Sequence, residues 1–302
     1  MKEIIQIETI SQVHTFYGFS KPNHPLVSVI PINDAISNFD YGDKSYALNL
    51  YQVSLKLGIS GSLSYGRNSY DFQEGTMVFS KPNQVLKVVD QTHMTDSAGW
   101  TLFFHPDLIR KSELGRTIED YSFFSYEVHE ALHLSEKERI SLTDLVHKIE
   151  EEYQQNIDRH SQKLIVSNIE LILDYCTRFY DRQFYTRTNL NKDVVSQFDH
   201  LLRTYYNSDR PSEMGMLTVK VCGTDLNMSP HYLSDLLRKE TGKSAQEHIY
   251  QYVISKAKTL LLSTQEPISQ IAYSLGFTYS QHFSKLFKAK TGMTPGQYRQ
   301  IA

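Results

Sequence analysis

The sequence predicts an α+β, multidomain chain: an N-terminal β-domain of sandwich or small-barrel type with a helical pair, then an all-α C-terminal domain with two helix-turn-helix units. Three observations carry this expectation. Short β-branched runs broken by glycine turns fill residues 26–105, the hydrophobic period becomes helical from Ser135, and a segment beginning near residue 223 recurs near residue 272.

A chain of 302 residues has room for two domains. Hydrophobic residues make up 40% and charged residues 22%, which supports packed cores and excludes wholesale disorder. The net charge of -3 excludes a uniformly basic coat but leaves room for a local basic patch. Charge is uneven: residues 211–302 hold 10 Lys and Arg against 6 Asp and Glu, whereas residues 1–210 hold 21 against 28. The C-terminal part is therefore the candidate for an anionic partner, with chance drift in surface composition as the competing reading. Cys176 and Cys222 are too few for a disulfide framework, and no Cys/His cluster suggests structural zinc. No signal peptide and no long apolar span stands in the sequence, so a cytoplasmic protein without membrane contact is expected.

Along the chain, Val27–Ile32 is apolar and β-branched. Residues 51–57 alternate, with Tyr51, Val53, Leu55 and Leu57 on one face and Gln52, Ser54 and Lys56 on the other. Thr76–Ser80, Val85–Asp90 and Gly99–Phe104 add further strands. Ser135 and Glu138 have capping-box spacing, and Leu142, Leu145, Val146, Ile149 and Tyr153 mark one face of the helix that follows. A second helix over about 160–181 aligns Ile165, Ile169, Ile172, Cys176 and Phe179. The apolar stripes of this pair need a partner, either the β-domain itself or the same helices in a second subunit. Residues 183–192 are polar and aperiodic and read as a linker, giving domains over 1–182 (helical pair about 135–181) and 193–302.

The repeat defines the second domain. Leu226 matches Leu275 and Ser229 matches Thr278, each 49 residues on; Leu233 matches Phe283, Leu237 matches Phe287 and Gly242 matches Gly292, each 50 on. Each copy reads as a short helix (about 218–224 or 268–274), a tight turn, and a second helix. Asn227 and Gly276 suit the left-handed position of the turn. Ser229 with Pro230 reads as a helix start, as does Thr278 with Gln281. The second helix of such a unit enters a DNA major groove near its N-terminus. Once the core positions are removed, the base-reading candidates are His231, Ser234 and Asp235 in the first copy and Ser280, Gln281, His282 and Lys285 in the second. Asp235 either accepts from a cytosine amino group or pairs with a neighbour such as Lys239, and both histidines have solvated surface roles as alternatives. Arg238, Lys256, Lys258, Lys288, Lys290 and Arg299 are the phosphate candidates. Between the copies, Ser244–Leu262 reads as a spacer helix of ~25 Å, suited to holding two reading heads about one DNA turn apart.

The stretch 218–299 resembles the DNA-binding domain of the AraC/XylS family of bacterial transcription regulators. The resemblance is carried by Leu226-Asn-Met-Ser229, Thr241-Gly-Lys-Ser244, Ala257-Lys-Thr-Leu-Leu261, Ile268-Ser-Gln-Ile-Ala272, Gly276-Phe277, Phe283-Ser-Lys-Leu-Phe-Lys288 and Gly292-Met-Thr-Pro295-Gly-Gln-Tyr-Arg299. Gly223 stands where the family usually has Ala, and Lys256 where Arg is usual. The resemblance implies a cupin-like N-terminal β-barrel that senses a small-molecule effector, a helical pair that forms a homodimer, and an activator that binds double-stranded DNA and meets RNA polymerase. Cupin enzymes hold a metal through a His-x-His pair, which is absent here; His93 and His105 are isolated and Gln84 stands in the turn, so no catalytic residue, metal or cofactor is expected. Candidates for an effector pocket are Tyr65, Arg67, Tyr70 and Trp100, against a core role for Trp100 and surface roles for the others. Two alternatives remain for the N-terminal domain: a protein-interaction module, or a cupin-type enzyme.

Overall fold

In the computed structural model, which describes residues 4–32, 45–57, 75–87, 98–127, 130–155 and 158–300, the chain divides into two compact units, Met1–Arg187 and Thr188–Ala302.

In the N-terminal unit the β-branched runs become strands at or near their expected bounds. β1 (Ile4–Ile7) leads to α1 (Ile10–Phe16), then come β2 (Val27–Ile32), β3 (Ser45–Leu48), β4 (Tyr51–Leu57), β5 (Thr76–Ser80), β6 (Gln84–Lys87) and β7 (Ala98–Phe104). Short helices α2 (Pro106–Ile109) and α3 (Leu114–Thr117) follow, then β8 (Leu132–His133). One sheet has the order β2-β7-β4-β5-β8 and is antiparallel throughout; the other has the order β1-β3-β6, with β1 parallel to β3. Neither sheet closes on itself among the described residues, so a cupin-like barrel is not shown: β8 is two residues long and pairs only with β5, and β2 pairs only with β7. The alternation of β4 is only half realised. Val53, Ser54 and Leu55 are all buried, and Ser54 is tolerated because its hydroxyl meets Thr101 Oγ1 at 3.0 Å on the neighbouring strand.

The helical pair consists of α4 (Glu136–Gln154), opened by the Ser135/Glu138 capping box, and α5 (Ser161–Thr186). Its apolar stripes are buried within the single chain. Trp100 Nε1 donates to Thr143 Oγ1 on α4 at 3.1 Å, and the Val29 N–H donates to the Tyr153 hydroxyl at 3.3 Å, so α4 lies against the sheet of β2 and β7. The β-domain is thus the partner of these stripes.

The 183–192 stretch is not an extended linker. α5 continues to Thr186 and α6 (Thr188–Tyr206) begins two residues later, with Arg187 in a turn. Side-chain bonds explain the extension. The Gln183 amide donates to the Ala131 carbonyl and its Oε1 accepts the His133 N–H at 2.8 Å, so a residue that reads as polar surface is buried as an adaptor to β8. Arg182 bridges the His133 carbonyl and the Glu138 carboxylate.

The C-terminal unit is all helix: α6, α7 (Arg210–Met214), α8 (Val219–Asp225), α9 (Pro230–Thr241), α10 (Ala245–Ser263), α11 (Ile268–Ser274), α12 (Ser280–Thr291) and α13 (Pro295–Arg299). Both repeats feed one core. Leu233 and Leu237 of α9, Phe283 and Phe287 of α12, Ile249, Val253 and Ala257 of α10 and Phe198 and Leu202 of α6 belong to a single buried cluster. No described helix is long and apolar enough to cross a membrane.

Candidate nucleic-acid interface

The two copies are built alike down to their backbone bonds. α8 ends in a turn in which the Met228 N–H reaches the Gly223 carbonyl at 2.8 Å, with Asn227 at φ 52°. α11 ends in the same turn: the Phe277 N–H reaches the Ala272 carbonyl at 3.0 Å, with Gly276 at φ 89°. Both left-handed positions stand where the sequence places them. Gly223, the departure from the usual Ala, has a local reason. A Cβ there would lie 2.5 Å from the Met228 carbonyl oxygen, so this turn leaves no room for the usual Ala side chain.

α9 begins on Ser229, whose hydroxyl accepts the Tyr232 N–H at 3.2 Å, with Pro230 in the first turn. α12 does not begin on Thr278. Its N-cap is Tyr279, without a side-chain cap bond, and the helix starts at Ser280. The extra residue of the second copy explains the shift. Each helix begins three residues before its first core side chain, Leu233 or Phe283, so packing sets the start and the capping signal of Thr278 is overridden. Both helices end on a Thr-Gly pair. Gly242 and Gly292 are left-handed, and the Thr241 and Thr291 hydroxyls donate to the Leu237 and Phe287 carbonyls.

Counted from this common start, His231 and Gln281 share one position, Asp235 and Lys285 a second, and Arg238 and Lys288 a third. His231, Gln281, His282, Lys285, Arg238 and Lys288 are exposed; Ser280 and Asp235 are half-buried. Asp235 Oδ1 sits 3.4 Å from Arg238 Nη1, an i,i+3 pair on the helix surface. The first row thus neutralises its own charge, whereas the second presents two lysines.

Three candidates are committed to the fold. The Ser234 hydroxyl accepts the Ala245 N–H at 3.3 Å, satisfying an orphan donor at the start of α10. The matching place in the second copy needs no such acceptor, because Pro295 has no N–H. The Lys256 ammonium donates to the Tyr206 carbonyl and to Asn207 Oδ1, capping the end of α6, and partial burial lowers its pKa. Arg299 donates to the Leu261 and Glu266 carbonyls and so holds the last turn of α10. Lys258 and Lys290 lie over the rings of Tyr298 and Tyr250. Sequence reasoning missed Tyr279, which is 61% exposed beside His282 at the mouth of α12, and Lys243, just past the end of α9. The signal for Tyr279 was an aromatic residue next to the inserted position.

Of the effector-pocket candidates, Tyr65, Arg67 and Tyr70 lie outside the described residues. Trp100 is 6% exposed and spends its indole N–H on Thr143, so it is a core residue joining sheet to helix. His93 also lies outside the described residues, while His105 caps α2 by accepting the Asp107 N–H. Both cysteines are buried free thiols, and burial pushes Cys222 up to about 12.

The family described as a helix-turn-helix domain matches residues 222–301. The chain is 32% identical over 109 residues to an uncharacterized HTH-type transcriptional regulator, YtdP, of Bacillus subtilis, covering 36% of this chain and 13% of that protein. It is also 32% identical over 109 residues to the Msm operon regulatory protein of Streptococcus mutans, covering 36% of this chain and 37% of that one. The aligned part is therefore well under half of either relative. Among solved structures, the C-terminal domain of AraT, a response regulator from Geobacillus stearothermophilus, is 31% identical over 36% of this chain and 85% of that one, with a TM-score of 0.32. Paired turns, paired Thr-Gly helix ends and sequence relatives agree: the C-terminal unit of this chain is a helix-turn-helix domain of the AraC family of transcription regulators.

Proposed function

We propose that the chain is a sequence-specific, double-stranded-DNA-binding transcription regulator without enzymatic activity, in which α9 and α12 enter successive major grooves. The observation that carries this reading is the matched pair of polar rows, His231 with Arg238 and Gln281 with Lys285 and Lys288, on helices whose opposite faces share one core. Gln281 pairs bidentately with adenine or Lys285 donates to guanine, while Lys288 and Arg238 meet phosphate. Homodimer formation is supported by Leu164 and Leu171, which are 48% and 43% exposed seven residues apart on α5. Effector response, activation and contact with RNA polymerase extend the reading by resemblance. The test is selection of duplexes from a random pool by the full chain. A shared motif supports the reading, and recovery of no motif, with or without added metabolites, sinks it.

A further inference from the structure

We infer that the groove between the two reading helices is a phosphate saddle, which grips the DNA backbone of the spacer between the two base-reading sites. The inference rests on the DNA-binding reading and adds to it a shared site, the spacer backbone as its ligand, and Lys243 beside the phosphate candidates Lys258 and Lys290.

The groove has a volume of about 460 Å³ and lies on one face of α10, lined there by Glu247, Gln251, Ser255 and Lys258. These positions follow helical spacing, so they form one continuous stripe. Lys243, from the turn after α9, and Lys290, near the end of α12, also line it. The groove therefore joins the end of one reading helix to the end of the other and draws a cation from each, with a third from the spacer helix.

Among the described residues, none of these three ammonium groups is held in an ion pair. Lys258 lies 5.5 Å from the Tyr298 ring centre and Lys290 6.0 Å from that of Tyr250, contacts that orient an ammonium while leaving its N–H donors to a ligand. Lys243 donates to Gln251 Oε1 at 3.1 Å. The one carboxylate in the lining, Glu247, is turned to the helix start, where it accepts the Ser244 N–H at 2.8 Å and the Ser244 hydroxyl at 2.9 Å. These bonds, with the charges of Lys290 and Arg238 nearby, hold its carboxyl below the usual carboxylate range, so it stays ionised at the start of α10. The trough thus sets three cations against one carboxylate, with Gln251, Ser255 and Ile254 neutral, a net positive lining that matches successive phosphates of a backbone and offers little to distinguish bases.

The experiment uses the full chain and the duplex that it selects from a random pool. Affinity is measured against salt concentration for the wild type and for the triple variant Lys243→Gln, Lys258→Gln, Lys290→Gln. The expected result is an unchanged selected sequence and a log–log salt slope shallower by about 0.9 for each lysine that meets a phosphate. In a second arm, neutral methylphosphonates replace the spacer phosphates. They should flatten the wild-type slope and leave the triple variant unmoved. A wild-type slope indifferent to the neutral spacer overturns the saddle even if the variant fails to fold, as does a triple variant with the wild-type slope. A triple variant that selects a different sequence also overturns it, because the lysines would then be reading bases. If the wild type selects no sequence, the DNA-binding reading falls and the saddle falls with it.

Discussion

At the scale of single residues, Gly223 sets a constraint within the helix-turn-helix domain. An alanine would gain about 1 kcal/mol in helix propensity, yet its Cβ would sit 2.5 Å from the Met228 carbonyl. The expected outcome of Gly223→Ala is a net loss of about 1–3 kcal/mol, read as a lower melting temperature of the C-terminal unit. His248 supplies a pH prediction. Desolvation lowers its pKa below 6.5, with Lys243 lowering it further while Asp199 and Glu247 raise it. The unfolded chain therefore binds a proton that the folded one does not, in the window between the lowered value and 6.5. Stability should be fully present above that window and fall as pH drops through it, and His248→Gln should flatten this dependence in melts run from neutral to mildly acidic pH. Neither feature was legible in the sequence. A glycine in place of alanine reads as a weak helix until the opposing carbonyl is seen, and the surroundings of a lone histidine are set by distant contacts.

The reading helices are where sequence served best and where its failures have a common cause. His231, Gln281, His282, Lys285 and Lys288 stand exposed as their spacing from the core residues requires. Ser234, Lys256 and Arg299 occupy polar stripes just as convincingly, but each bonds to a backbone group near the end of another helix. A helical wheel shows which face is polar and not what stands opposite it. The tests belong to these helices. Gln281→Ala should change the selected sequence at one position, with about 1–3 kcal/mol of discrimination lost. Lys288→Ala should weaken all sequences alike and flatten the salt slope by about 0.9. Asp235→Asn should do the reverse in the first row: releasing Arg238 from its pair strengthens binding to unrelated DNA and steepens the slope.

For the whole molecule, the order of β-strands, helical pair and repeated helices was readable from changes of period, whereas sheet closure and the conformation of residues 183–192 were not. Gln183 and Arg182 look like linker residues because the groups they bind lie some fifty positions earlier. If Leu164 and Leu171 form the dimer surface, Leu171→Lys should convert the chain to a monomer in sedimentation at concentrations where the wild type is paired, without lowering its melting temperature. The single core shared by both repeats reaches furthest. Both proposed reading helices pack through α10 into that cluster, so on the DNA-binding reading the protein should act as a ruler of fixed length and phase. One base pair added between the two sites turns the second by about a tenth of a revolution, and the mismatch falls on the DNA. In a promoter under selection, substitutions within a site would be graded in effect, while insertions and deletions between sites would act as near-complete losses. The regulatory sequence would then drift in its letters and hold constant in its spacing.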